Sequence, residues 1–209
     1  DPTYQAPGAL KRAPSPLYPF GTDNLGRDVL SRVIYGTRVS ISTGLIAVAI
    51  ALGGGALLGI LSGYYGRWAD SWIMRLADVM LAFPGILLAL AIVAILGPSL
   101  PNTMLAVGVS TIPVYARTAR GSVLSVKAKE YVEAARCLGV PNWRVMLRHV
   151  LPNITAPLRV LCTVNVGTAI LSAAGLSYLG LGAQPPTPEW GAMLAEARLY
   201  LRDCWWMAT

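Results

Sequence analysis

The sequence predicts an all-α protein, a polytopic bundle of transmembrane helices. Of its 209 residues, 55% are hydrophobic and only 13% are charged, which leaves too few polar side chains to cover a soluble globule of this size. Three runs without any charge cover residues 39–66, 79–116 and 160–188. A helix needs roughly 20 apolar residues to cross a hydrocarbon core about 30 Å thick, so each run is long enough to span a membrane.

The first run predicts one span at residues 40–65. Its glycines Gly55, Gly59 and Gly63 recur every four residues and therefore lie on one face of a helix. Small residues on one face allow close packing against another helix. Glycine is also common in membrane helices generally, so the stripe predicts a packing face without identifying its partner.

The second run is too long for one span and predicts a helical hairpin. Its turn lies at residues 97–102, where glycine, two prolines and asparagine occur together. The two arms then cover about residues 79–96 and 103–120. Pro84 and Pro113 are expected to bend these arms.

The third run predicts a span at about residues 154–181 that carries scattered hydroxyl and amide side chains. In lipid such groups normally face protein or water. A translocation path lined by Asn165, Thr168 and Ser172 is one interpretation, and simple interhelical hydrogen bonding is an equal one.

Four spans place residues 65–78 and 117–153 on the same side of the membrane. Positive charge near the ends of spans favours the cytoplasmic side, and Lys11, Arg12 and Arg202 on the opposite side lie too far from a span to count. The sequence therefore predicts that residues 117–153 are cytoplasmic. The Lys and Arg residues on this side are Arg67, Arg75, Arg117, Arg120, Lys127, Lys129, Arg136, Arg144 and Arg148.

Within residues 117–153 the sequence predicts a helix, a turn and a second helix. The first helix covers residues 127–138 and ends at Gly139 with a left-handed cap; the second covers 142–150 and is stopped by Pro152. A solvated hairpin without a partner is one alternative. A DNA-binding helix-turn-helix is disfavoured, because the segment is tethered to the bilayer at both ends and carries apolar residues where a reading face needs polar ones.

The sequence offers no enzymatic or metal site. The cysteines Cys137, Cys162 and Cys204 are odd in number and widely spaced, and His149 is the only histidine. No nucleophile lies beside a base, and no GxxxxGK[ST] phosphate loop is present. We therefore expect no cofactor and no metal in this chain.

Four stretches resemble one known family. Residues 133–135 read EAA, Gly139 follows, and Leu151 and Pro152 read LP, which fits the EAA loop of bacterial ATP-binding cassette (ABC) importer permeases except that His149 stands where the pattern has Ile. Residues 19–32, 78–97 and 176–194 (PFGTDNLGRDVLSR, DVMLAFPGILLALAIVAILG and LSYLGLGAQPPTPEWGAML) resemble the dipeptide, oligopeptide, glutathione and nickel branch. The resemblance is closest to dipeptide permease subunits of the C type, and glutathione permease subunits are also similar.

The resemblance implies a type I ABC importer permease fold in the bacterial inner membrane. It implies partners as well: a homologous second permease subunit, two cytoplasmic ATPases that bind ATP and Mg²⁺, and an external substrate-binding protein, with no nucleic acid. In the family that it resembles, the EAA loop forms the coupling helix that docks on an ATPase. The residues to which the resemblance gives this coupling role are Glu130, Glu133, Ala134, Ala135, Arg136, Gly139, Leu151 and Pro152.

The resemblance and the span count together predict three regions. Residues 1–39 form an external segment with a short amphipathic helix capped by Thr22 or Asp23, residues 40–181 form the permease domain, and residues 182–209 are external and lead to a further span. Family members have one span before this chain and one after it, so we expect the first and sixth helices to be missing.

The competing class is a secondary transporter. This class predicts ionisable residues within the membrane and an internal repeat in the sequence, and neither is evident.

Overall fold

The computed structural model describes residues 1–208, and this part of the chain is all-α, as predicted. It contains no strand; Thr22 and Asp28 form one isolated β-bridge. Short 3-10 helices cover Pro7–Ala9, Arg198–Tyr200 and Trp205–Met207. The α-helices are α1 (Val29–Tyr65), α2 (Arg67–Leu81), α3 (Gly85–Leu96), α4 (Leu100–Lys127), α5 (Glu130–Cys137), α6 (Asn142–Val145), α7 (Leu151–Tyr178) and α8 (Trp190–Ala197).

Two helices are long and apolar enough to cross a membrane, and a third span is possible. The two are α1 and the continuous helix Asn142–Tyr178, each of 37 residues. The pair α2 and α3 passes the same test only together, and its bend of 92° at a short break is that of a broken span or a re-entrant segment. The chain is therefore a multi-pass membrane protein. The second arm of the predicted hairpin, α4, does not meet this test of length and apolarity.

The predicted hairpin arm at residues 79–96 is divided. Residues 79–81 belong to α2, and α3 has only 12 residues, which is about 18 Å of helix. The break falls immediately before Pro84, because proline lacks an N–H donor and disfavours helical geometry in the residue before it. Pro113, by contrast, lies inside α4 without ending it.

The described chain forms two compact units that share the long helices. Unit 1 contains Asp1–Ile46, Leu90–Ala106 and the C-terminal part from Thr168. Unit 2 contains Ala47–Ala89 and Val107–Gly167. The loop between α5 and α6 therefore belongs to unit 2, and the two terminal segments belong to unit 1.

The glycine stripe of α1 faces α4 within unit 2. A methyl group added at Gly55 would lie 2.3 Å from Cβ of Tyr115, and one added at Gly59 would lie 2.5 Å from the carbonyl oxygen of Ala116. Gly108 on α4 makes the reciprocal approach, 2.9 Å from the carbonyl oxygen of Ala47. The two backbones therefore approach as closely as glycine permits.

Residues 65–78, which the span count treats as a loop, form most of α2. One face of α2 is held against its neighbours in unit 2 by Asp70, whose carboxylate accepts hydrogen bonds from Nε and Nη2 of Arg120 at 2.5 and 2.6 Å and from the hydroxyl of Ser62. Arg117 also pairs with Asp78. The helix is therefore fixed by two ion pairs to α4.

The predicted short amphipathic helix near the N-terminus is the first part of α1. The helix starts at Val29 and continues without a break, and its cap is neither Thr22 nor Asp23. Asp28 provides the cap: its Oδ2 accepts hydrogen bonds from the backbone N–H of Ser31 at 3.1 Å and from its hydroxyl at 2.6 Å. Two buried arginines draw the carboxylate of Asp23 away into an ion cluster.

This ion cluster joins the two terminal segments of unit 1. Asp23 pairs with Arg27 at 2.6 Å and Arg32 at 2.5 Å, and both arginines also pair with Glu196 on α8, at 2.8 and 2.9 Å. Both arginines and Asp23 are almost fully buried. Burial raises the pKa of Asp23, but hydrogen bonds from the backbone and side chain of Arg27 and from the Leu25 backbone outweigh burial, so the pKa lies below its ordinary value of 3.8.

We expect acid to loosen the terminal segments through Asp23. Because its folded pKa is depressed, its contribution to stability is fully present above the unfolded value of 3.8 and is lost as pH falls through the lower folded value. Limited proteolysis of the detergent-solubilised subunit, scored for cuts within residues 1–28, checks this. Cleavage should rise below about pH 4 in the native protein, whereas an Asp23→Asn variant should be cut readily at pH 7 as well. Equal resistance of the two proteins at pH 7 would contradict the expectation.

Candidate functional site

The segment between α4 and α7 forms a bent arm made of α5, Gly139 and α6. Lys129 is extended, with φ −84° and ψ 141°, and α5 begins at Glu130, three residues later than predicted. Two glutamates lie in its first turn and Arg136 in its last, which matches the charge preference of each helix end. The helix dipole therefore favours a helix of eight residues that would be marginal alone.

Gly139 produces the bend. Its φ is +76°, a left-handed conformation that glycine adopts without strain. The Gly139 N–H bonds to the carbonyl of Arg136 at 2.9 Å and the Val140 N–H to the carbonyl of Ala135 at 3.1 Å. This is the Schellman arrangement that ends many helices, and the predicted left-handed cap is present.

The arm has a packed face and a free face. Val132, Ala135 and Val145 are buried against unit 2. Of the other residues predicted to carry the coupling role, Arg136 and Leu151 are half-buried, and the exposed ones are Glu130, Glu133, Ala134, Gly139 and Pro152. Several apolar side chains share this exposure, which is costly in water and typical of a docking surface. They are Tyr131, Leu138 at 84%, Trp143 and Leu147.

Tyr64, at the end of α1, ties the arm to the rest of unit 2. Its hydroxyl donates to Oδ1 of Asn142 at 2.8 Å, and its carbonyl accepts from Nζ of Lys127 at 2.5 Å. The guanidinium of Arg136 lies over its ring, 4.7 Å from the centroid. Burial lowers the pKa of Lys127, and the positive charge of Arg136 lowers it further.

Sequence reasoning did not identify Tyr64. The available signal was its place in a Tyr-Tyr pair at the end of an apolar run, where aromatic residues anchor a span. Glu133 and Arg136 are three positions apart on one helix, where opposite charges can pair, but they do not pair here: within residues 1–208, Glu133 makes no ion pair within 4.0 Å, and Arg136 lies over Tyr64 instead. The carboxylate of Glu133 therefore remains available to a partner.

Pro152 does not stop the second helix. After α6 a turn of π-helix covers Met146–Val150 and leads directly into α7. The Leu151 N–H reaches back to the carbonyl of Met146, and this wider turn accommodates a residue that lacks an N–H donor. The helix therefore continues without a break from Asn142 to Tyr178. Within it, Leu151 is half-buried and Pro152 is exposed.

The residues predicted to line a path lie along α7. Asn165, in unit 2, is half-buried; in unit 1, Thr168 is exposed and Ser172 half-buried. Across residues 1–208, no group of three or more His, Cys, Asp or Glu side chains could hold a metal ion. His149 is half-buried, with its ring 6.3 Å from that of Tyr131.

Comparison with known proteins assigns a family. The family described as "Binding-protein-dependent transport system inner membrane component" matches residues 55–207. The dipeptide transport system permease protein DppC of Alkalihalophilus pseudofirmus is 48% identical over 96% of this chain and 66% of its own length. The di/tripeptide permease protein DppC of Pseudomonas aeruginosa is 48% identical over 100% and 71%. The chain thus spans about two thirds of the length of these relatives.

A third relative differs in its named substrate. The glutathione transport system permease protein GsiD of Pectobacterium atrosepticum is 48% identical over 90% of this chain and 63% of its own length. Among solved structures, an inward-facing conformation of the MetNI methionine ABC transporter has a TM-score of 0.63, covers 86% of this chain and 84% of its own, and is 18% identical. At this identity the likeness concerns the fold alone.

Proposed function

Because the chain belongs to the family of binding-protein-dependent transport system inner membrane components, we propose that it is a permease subunit of an ATP-driven peptide importer in the bacterial inner membrane. The observation that carries the proposal is the bent arm at Gly139. Its free face combines exposed acidic and apolar side chains on a short, rigid element. Such a face is suited to a groove on a cytoplasmic ATPase.

In this proposal the arm transmits the movement of the ATPase to the spans. Leu138 and Trp143 supply apolar area for docking. Glu130 and Glu133 accept charge-assisted hydrogen bonds from basic side chains of the ATPase, while Ala134 and Gly139 permit close backbone approach. The chain itself is not an enzyme: ATP and Mg²⁺ are bound and ATP is hydrolysed by the partner.

Tyr64 connects the movement of the arm to α1. Since it contacts Lys127, Arg136 and Asn142 at once, a displacement of α5 acts on the end of α1. Pro152 and Leu151 belong to the continuous helix that leads from the arm into the membrane. Asn165, Thr168 and Ser172 on that helix contribute polar groups to the translocation path.

The proposed substrates are dipeptides or short oligopeptides, by similarity to the dipeptide permeases. Glutathione is the second candidate, because a glutathione permease protein is equally similar. The proposed complex contains a homologous second permease, two ATPases and an external binding protein that selects the substrate.

Affinity purification of the full-length subunit tests the assembly. The native protein should retain the second permease and the ATPases, and Glu133→Arg should lose the ATPases while keeping the second permease. Asp203→Arg is the matched control, since Asp203 is an exposed acid outside the arm. If no ATPase is retained by the native protein, the importer proposal fails and a secondary transporter becomes the better hypothesis. If the ATPases are retained, uptake of labelled dipeptide and of labelled glutathione decides between the two candidate substrates.

A further inference from the structure

The outward face of α2 carries two tryptophans and two arginines around one groove. Trp68 and Trp72 are 78% and 66% exposed, and Arg67 and Arg75 are also exposed. The groove has a volume of about 460 Å³ and is lined by these four side chains and Ser71. Large exposed indoles are costly in water, so this face requires a partner.

The opposite face of α2 cannot be that partner's site, because it is already occupied. Ala77 is buried, and Ile73, Ala77 and Met80 line a narrow cavity shared with side chains of α1 and α4 in unit 2. The bidentate ion pair between Asp70 and Arg120 prevents α2 from rolling about its axis. The tryptophan and arginine face therefore stays turned outward.

The direction of α2 places this face at the membrane surface. The helix follows the membrane-spanning α1 after a single residue, Gly66, and it meets α3 at 92°. Two helices at a right angle cannot both run along the bilayer normal. Because α3 carries no charged residue whereas α2 carries four, α2 is the helix that lies along the plane of the bilayer. Tryptophan is enriched at this depth, where its ring is partly in hydrocarbon and its N–H reaches the headgroups.

The charge of the face selects the partner. Within residues 1–208, Arg67 and Arg75 make no ion pair within 4.0 Å, and they are about 12 Å apart along the helix. A guanidinium binds phosphate through two parallel hydrogen bonds. Anionic lipids are concentrated in the cytoplasmic leaflet, and the positive charge of this side predicts that it faces the cytoplasm.

We propose that α2 is an interfacial helix that binds anionic phospholipid: Arg67 and Arg75 hold headgroup phosphates while Trp68 and Trp72 insert at the headgroup level. A purely apolar protein surface would leave the two guanidiniums without acceptors, whereas a lipid supplies the phosphate and the hydrocarbon together. The proposal does not depend on which substrate is transported.

Photo-crosslinking in the assembled transporter separates a lipid from a protein partner. Benzoylphenylalanine is incorporated in place of Trp72, and the complex is reconstituted in nanodiscs of phosphatidylglycerol and phosphatidylcholine. After illumination, mass spectrometry of the subunit should show adducts of lipid mass. An adduct with the second permease would overturn the proposal, because the face would then be a subunit interface.

Lipid analysis of the purified complex tests the arginines. The native complex should be enriched in phosphatidylglycerol over phosphatidylcholine, and the enrichment should fall roughly fivefold for each arginine lost in Arg67→Gln and Arg75→Gln. Arg202→Gln, an exposed arginine outside α2, should leave it unchanged. If the double variant retains the native enrichment, α2 does not bind anionic lipid.

Discussion

Replacing Gly139 with valine is expected to reduce ATP-dependent peptide uptake about tenfold, while Gly139→Asn keeps most of the activity. The φ of +76° at this position costs an L-residue roughly 1–2 kcal/mol, which is about a tenfold loss in the population of the native bend. A β-branched residue has the larger cost, whereas asparagine adopts this conformation with little strain. Uptake of labelled dipeptide into cells with comparable amounts of inserted subunit measures the effect.

The pair of variants isolates the backbone from side-chain clashes. A Cβ at residue 139 would have no neighbour within 4 Å in this chain, so valine and asparagine differ here mainly in their tolerance of positive φ. ATP hydrolysis by the reconstituted complex should persist in Gly139→Val but lose its dependence on substrate. Equal uptake in the two variants would show that the bend of the arm is not needed for coupling.

Gly59→Ala is expected to destabilise the subunit by about 1–3 kcal/mol through overpacking, and Gly53→Ala on the same helix is expected to stabilise it by up to about 1 kcal/mol. An added Cβ at Gly59 would lie 2.5 Å from both the Ala116 carbonyl oxygen and Cβ of Ala119, whereas one at Gly53 meets nothing within 4 Å. Backbone atoms cannot turn aside as a flexible side chain can. The thermal midpoint in detergent should therefore shift down for Gly59→Ala and up, or not at all, for Gly53→Ala.

A second observable protects this comparison against loss of expression. If Gly59→Ala yields too little protein to melt, the amount inserted in the membrane relative to Gly53→Ala carries the same information. A thermal midpoint for Gly59→Ala equal to that of Gly53→Ala would mean that α1 and α4 do not approach at the glycine stripe.

Helical class and the local chemistry of the arm could be predicted from sequence because they depend on nearby residues. The left-handed cap at Gly139 follows from a helix-forming stretch that ends in glycine. The outcome at Pro152 could not be predicted in the same way, because a π-turn several residues earlier decides whether a proline ends a helix or lies within it. The start of α1 was missed since Asp28 and Ser31 compete with Asp23 for the cap, and the burial of Arg27 and Arg32 decides the outcome.

Contacts between distant residues account for the other differences. Tyr64 meets Asn142 from 78 positions away, and no periodic pattern in either segment encodes that pairing. Similarly, the span count leaves residues 65–78 as a loop because they interrupt the apolar runs with charges that include Asp70 and Asp78. Once Arg120 and Arg117 neutralise them, the same residues form an amphipathic helix.

The ion pairs of α2 also mean that the charges of Arg117 and Arg120 are unpaired during membrane insertion and paired in the folded subunit. Asp70 precedes Arg120 by 50 positions, so at about 5–20 residues per second the ribosome adds Asp70 roughly 2.5–10 s before this arginine. During insertion we expect these arginines to favour the cytoplasmic side, because acidic residues contribute little to the orientation of a span. After insertion the same positive charges are neutralised by ion pairs with Asp70 and Asp78. The folded subunit therefore has fewer unpaired positive charges on this side than the nascent chain had during insertion. The unpaired positive charges of α2 itself are those of Arg67 and Arg75.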